Sequence, residues 1–414
     1  MKNIFFKFFV LLLLFISPKV VFASEGIVAR IGNNYYDLLS DAINAAGPND
    51  VITLASSMTL NETQPINKTI TIDLNGHNVL GESPVFNVEG GTLTIKGKGT
   101  VKEVNPYYAP VLIKGSTDKS DENYSNVYIG EDVFLEGWSG VFIDHNENTS
   151  SSYGVNVTID GDINSVLDTD GGTGFGVYIN GNISNKENYP VVTINDTSEI
   201  TSLGSGIYMA GYSKVIIDGA YLEGVESALA IKSGELVMNS GTLYCKGIDK
   251  TPTEGYENGV NPSGAALQIE SNKGYPGDIK ITINGGSLRS KNSNVVYEYL
   301  KGVDTTKVSS INITGGTFRS DAKKDIFLTS TSFKNTHPSF ISGGKYTSDV
   351  NTYLKSGYDI TKVDDLYEVS KTTMNETLVF KEENKKSGTV LTIILTLGTV
   401  LTAGFVFVKK YFVI

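Results

Sequence analysis

The sequence predicts an all-β protein. The expected fold is a right-handed parallel β-helix, a solenoid of short strands, with an N-terminal capping helix and a C-terminal single transmembrane helix. Three observations carry this expectation. The stretch "ITINGGSLRS" at 281–290 returns as "INITGGTFRS" at 311–320 and more loosely as "FISGGKYTS" at 340–348. The composition holds 44 Gly and 22 Tyr against a single Trp, with Asn, Thr, Ser, Ile and Val recurring throughout, a mixture that favours strands and turns. The 414 residues also exceed what one compact core usually holds, so an elongated repeat is a natural solution.

Residues 1–23 read as a secretion signal. Lys2 and Lys7 give a positive start, Phe8 to Ile16 an apolar run, and Val21-Phe22-Ala23 a small-residue cleavage site before Ser24. Residues 24–49 supply an N-terminal cap. Within "NNYYDLLSDAINAAGPND", Leu38, Leu39, Ala42, Ile43 and Ala46 fall at helical spacing on one face, and the Gly-Pro that follows stops the helix.

Residues 50–349 carry the repeat. Reading backward from 281, its kin are "LVMNSGTLYCKG", "KVIIDGAYLEG", "VVTINDTSEITS", "VNVTIDGDINS", "SNVYIGEDVFLEG", "GTLTIKGKGTVKE" and "KTITIDLNGHNV". Each is an alternating strand, a Gly/Asn/Asp corner and a second strand. Many are preceded by a third, as in "SGIYM", "SALAIK" and "AALQIE". Self-similarity at such a period signals a solenoid, and β-branched runs exclude helical repeats. Stacked coils would lie about 4.8 Å apart. The corners need φ > 0, which Gly adopts freely and Asn tolerates. One coil cannot bury its Ile, Val and Leu without neighbours.

Residues 350–370 break the repeat and form a C-terminal cap, needed because terminal strands leave open edges. Residues 371–388 read as a polar stalk. Residues 389–408, "TVLTIILTLGTVLTAGFVFV", carry no charge over the length of one helical bilayer crossing. Residues 409–414 form a cytoplasmic tail, which places the body outside the cell membrane on a single-pass anchor.

The opening "IVARIGNNYYDLLSDAINAAGPNDVITL" followed by "INKTITIDLNGHNVL", and the closing "ISGGKYTSDVNTYLKSGYDI", resemble pectate-lyase-like right-handed β-helix surface proteins of Gram-positive bacteria. The resemblance covers roughly residues 27–368. It implies a fold and a bacterial cell-surface location. It implies no activity, since this fold hosts lyases, hydrolases, adhesins and spacers.

Lyases of this fold use acid clusters that hold calcium, together with a basic Arg or Lys. Arg289 and Arg319 occupy the same place in consecutive phrases and have no acid cluster there, so they read as a stacked repeat position. "DTDGG" gives a weak calcium candidate at Asp168 and Asp170, without the ordered acids or terminal Glu of an EF-hand. His145 beside Asp144 is the one sequence-adjacent acid–base pair singled out, and a loop pair is the plainer reading. Cys245 is the only cysteine and alternates like a buried strand residue. No cofactor and no catalytic residue are expected. The formal charge of −11 repels phosphate backbones and excludes nucleic acid as a partner class.

Tyrosines supply the binding candidates. Tyr124, Tyr153, Tyr189, Tyr212 and Tyr275 each stand shortly before an inner strand, so stacking would bring several to one edge of the rod. They would either fill corners or form a strip that takes a glycan or a host surface protein. The expected function is therefore a membrane-anchored, non-catalytic surface protein for adhesion or binding. The alternative is a polysaccharide lyase or glycoside hydrolase of the same fold.

Overall fold

A computed structural model describes residues 26–372 apart from 106, 167–173 and 252–258. The expected signal segment, Asp168 and Asp170, nearly all of the stalk and the apolar run 389–408 lie outside the described residues. Among the described residues no helix is long and apolar enough to cross a membrane.

The protein is all-β, with mostly parallel pairing and few helices. Its strands form three parallel ladders. The first runs through Asp50–Leu54, Thr69–Asp73, Gly91–Lys96, Ser125–Ile129, Val155–Ile159 and Val191–Asn195. It continues through the first halves of Lys214–Gly224 and Gly234–Cys245 to Ile279–Ile283 and Val308–Ile313. The second begins at Met58–Leu60 and Val79–Gly81, takes the second halves of the same two long strands, and ends at Lys345–Tyr346. The third is a separate ten-stranded sheet from Gln64–Ile66 to Phe327–Leu328.

Parallel register turns the alternation of each strand into columns. In the first ladder Ile52, Ile72, Ile95, Ile129, Ile159, Ile194, Ile217, Met238, Ile283, Ile313 and Ile341 follow one another as direct neighbours. All are fully buried. In the second ladder Val101, Leu135, Ile163, Ile200, Leu222, Leu243, Leu288 and Phe318 do the same. Each such side chain contributes about 1.5–3 kcal/mol by leaving water, but only because a coil lies on either side.

The returning phrase is explained by this register. Ser287–Ser290 lies directly on Thr317–Ser320, so Leu288 meets Phe318 and Arg289 meets Arg319. The glycines that make its bend, Gly286, Gly316 and Gly344, have φ of +86°, +97° and +103°. A Cβ on Gly286 would stand 2.8 Å from the Gly241 carbonyl of the coil beneath.

Both ends are closed by antiparallel hairpins. At the start Ala29–Ile31 pairs with Asn34–Tyr36 and with Asp50–Leu54. Helix α1, Leu39–Ala45, then lays Leu39, Ala42 and Ile43 over the first coil. The Lys68 ammonium donates to the carbonyls of Ile43, Asn44 and Ala46 at 3.0–3.2 Å, satisfying the helix C-terminus with a cation. Leu38 departs from the expected helical face: it precedes the first turn with extended backbone and is 58% exposed. At the far end Tyr358–Val363 pairs with Leu366–Lys371, which lies antiparallel on Lys345–Tyr346. Helix α2, Thr331–Thr336, is capped by Ser330 and buries Phe333 near that end.

The turns differ in what they tolerate. The turn from the first to the second ladder stays short. The turn from the third to the first ranges from Gly90 alone to the run 180–190. One coil also carries the run 246–266 between Gly234–Cys245 and Leu267–Asn272.

Candidate functional site

Most strands bury one face and wet the other. Ser205–Met209, Ser227–Ile231 and Leu267–Asn272, all in the third ladder, are buried on both. Their inner face meets the common core. Their outer face is covered by part of the 246–266 run and by the turn around Tyr275.

On that outer face Phe142, Tyr178, Tyr208, Ala230 and Gln268 are successive register partners. The rings of Phe142 and Tyr178 meet edge to face at 4.5 Å, and those of Tyr178 and Tyr208 stack at 5.3 Å. Phe175 stacks on Tyr208 at 4.6 Å, and Trp138 meets Phe175 edge-on at 5.5 Å. Burial pushes the Tyr178 phenol up to about 12 and also lifts the Tyr208 phenol well above its ordinary value. Both therefore remain neutral hydroxyls over the physiological range. The Tyr208 hydroxyl lies 3.0 Å from that of Tyr275.

Beside this aromatic row opens a cleft of about 700 Å³, lined by Tyr178, Tyr208, Tyr275, Asn180, Asn182, Asn272, Lys273 and Lys301. Among the described residues its lining holds no carboxylate. Asn272 is 5% exposed and its Nδ2 meets no acceptor among the described residues. Asn182 at the rim lies 3.3 Å from His145 Nε2, while His145 Nδ1 meets Asp144 Oδ1 at 3.0 Å. Asn180 donates to the same Asp144 oxygen at 2.8 Å. The acid–base pair seen in the sequence is thus tied by amides to the cleft edge.

Beneath residues 259–263 sits an enclosed polar cluster. Lys232 and Glu270 face each other at 2.8 Å with both side chains fully buried. Lys232 Nζ also lies 4.3 Å from the Tyr275 ring centroid and 5.2 Å from that of Tyr208. Asn261, Gln268 and Ser263 complete the cluster, and all three are fully buried.

The five tyrosines named from sequence do not form one strip. Tyr189 and Tyr212 meet edge to face at 5.3 Å. Tyr124 and Tyr189 line a second cleft of about 680 Å³ with Lys186 and Lys214. Tyr212 is only 4% exposed and packs against Gly277, whose φ is +77°. Tyr153 is half-buried and its backbone pairs with Ser116. Tyr275 stands apart from these, in the first cleft. Among the described residues no group of His, Cys, Asp or Glu is placed to hold a metal ion. The chain matches no protein-family model, no curated protein and no solved structure, so the site is read from its own geometry.

Strand periodicity does not single out Tyr178, Tyr208, Lys232, Asn261 or Glu270. Two signals could have marked them. Counting the Asn195-Asp196 corner, the step from the Gly241 corner to the Gly286 corner is the widest between corners, which points to an insertion. Lys232 also interrupts an otherwise apolar "SALAIKSG", where an outward charge needs a partner.

Proposed function

We propose that the chain is a right-handed parallel β-helix of the pectate-lyase-like class, displayed on a bacterial surface by its C-terminal apolar run, and that it binds glycan without turning it over. The ligand site is the cleft of Tyr178, Tyr208 and Tyr275. Tyrosine rings offer flat apolar area to the carbon face of a sugar, and their hydroxyls, with Asn180, Asn182 and Asn272, offer directional bonds to its oxygens. The observation that carries the reading is the lining itself. In a chain of net charge −11, the described residues that line this cleft include no carboxylate and contain Lys273. That balance favours sugars bearing carboxylates or sulfates.

The test is titration of the purified protein with neutral, uronate and sulfated oligosaccharides. Saturable binding, strongest for the acidic sugars and lost in Tyr178→Ala while circular dichroism shows the fold retained, supports the proposal. Absence of binding to all three classes removes it.

The tethered His145–Asp144 pair favours one second reading, a polysaccharide-active enzyme working at the same rim. New reducing ends or unsaturated products, lost in His145→Ala, would establish that reading in place of a binding protein.

A further inference from the structure

The cluster beneath residues 259–263 contains the parts of a covalent cross-link. We propose that Lys232 and Asn261 join through an intramolecular isopeptide bond, with Glu270 moving the protons. This rests on the buried cluster alone and is independent of the carbohydrate reading.

The geometry brings the reactants onto one atom. Lys232 Nζ lies 2.8 Å from Glu270 Oε2, and Asn261 Nδ2 donates to that same oxygen at 3.3 Å. Lys232 Nζ also donates to the Gly259 carbonyl at 2.6 Å, which anchors the amine two residues from Asn261. The Glu270 carboxylate is held in place by the Asn261 backbone N–H at 3.1 Å and Gln268 Nε2 at 2.8 Å, both donating to Oε1. Asn261 Oδ1 is buried and accepts no hydrogen bond among the described residues, so the carbonyl to be attacked is not engaged elsewhere. Lys232, Asn261 and Glu270 are each 0% exposed, which keeps water from competing and protects the product.

The step balances without any co-reactant. Glu270 takes a proton from the Lys232 ammonium. The freed Nζ lone pair attacks Asn261 Cγ, forming the Nζ–Cγ bond. Glu270 shuttles its proton to the amide nitrogen, the Cγ–Nδ2 bond breaks, and ammonia leaves. The last proton released by Nζ stays on Glu270. Nothing is oxidised or reduced. The products are a neutral amide and a neutral carboxylic acid, so two enclosed charges disappear together. That relieves the desolvation cost of a buried ion pair, which supplies a driving force. The consequence is a clamp that fixes the chain at Asn261 to the third ladder.

Peptide mass spectrometry of the denatured full-length chain after trypsin tests this directly. Residues 215–246 and 251–273 should appear as one joined species, lighter by one ammonia than the two peptides together, with trypsin unable to cut at Lys232. Joining, not mass loss alone, is the readout, because Asn258 before Gly259 can lose ammonia within one peptide, whereas Asn261 cannot. Asn261 precedes Pro262, which has no N–H. Lys232→Arg and Glu270→Gln should each release separate peptides. In Glu270→Gln, cleavage after Lys232 should return. Separate peptides from the wild-type chain overturn the proposal whatever the variants do. A joined species that persists in Glu270→Gln overturns the role given to Glu270.

Discussion

Ile159 is the register partner of Ile194 in the first ladder, and neither side chain reaches solvent. Ile194 in turn meets Ile217 on its other side. Truncating Ile194→Ala should cost about 2–5 kcal/mol, the usual range for a large-to-small core change. Because a coil touches mainly its two neighbours, the loss should be local. Hydrogen exchange should quicken in strands 155–159, 191–195 and 214–217 and stay near wild type around Ile72 and Ile313. A uniform loss of protection along the chain would contradict the column picture.

Glu103 should make stability fall as pH rises. It is 2% exposed, lies beside Gly81 and Gly137, and its Oε2 accepts no hydrogen bond among the described residues. Burial raises its carboxyl from 4.5 to about 7, against a bond from the Asn105 N–H that favours the anion. The folded chain therefore holds this proton more tightly than the unfolded one. Its contribution is complete below about pH 4.5 and is lost between there and about pH 7, on the order of 3 kcal/mol in all. Urea melts should show Glu103→Gln more stable than wild type at pH 8, with that advantage shrinking toward pH 5.

Tyr212→Ala should behave as a core truncation. The ring is enclosed between Tyr189, Gly277 and the Lys186 ammonium at 5.5 Å. A loss of about 3–5 kcal/mol is expected, as for other large buried rings. Thermal melting should drop by several degrees, whereas Tyr178→Ala, on the open cleft wall, should change binding more than melting.

Cys245 should be silent toward thiol reagents in the folded chain. It is fully buried in the second ladder, and burial pushes its thiol up to about 12. At pH 8 almost none is thiolate. A colorimetric disulfide reagent should read no thiol before denaturant is added and one per chain afterwards.

The columns were legible because a strand has period two and a corner has a chemical signature. "ITINGG" and "INITGG" name both the inward isoleucines and the bend, and the structure puts Ile283 against Ile313 and left-handed φ at Gly286 and Gly316. The site was less legible for a physical reason. Which tyrosines meet depends on the length of every turn between them. Tyr178 and Tyr208 are neighbours because the whole intervening coil closes in register, whereas Tyr275 reaches Tyr208 from a turn rather than a strand. Lys232 finds Glu270 because Ile231 and Ile269 are register partners, a relation that skips the 246–266 run. Proximity in a stacked fold follows from register, and local pattern carries little of it.

The turn from the third to the first ladder has a consequence for variation. Gly90 alone and the run 180–190 both deliver the chain to the same ladder position, Leu93 and Val192 lying in one unbroken column with Val127 and Val157. Lengthening that edge therefore leaves the columns untouched. A lineage carrying this architecture is free to drift there, trading one displayed surface for another while its interior stays under constraint. A library randomised at the exposed positions 182, 184, 186 and 187, with the buried Ile183 and Asn185 kept, should yield mostly folded members, and selection on it would act on recognition more than on folding.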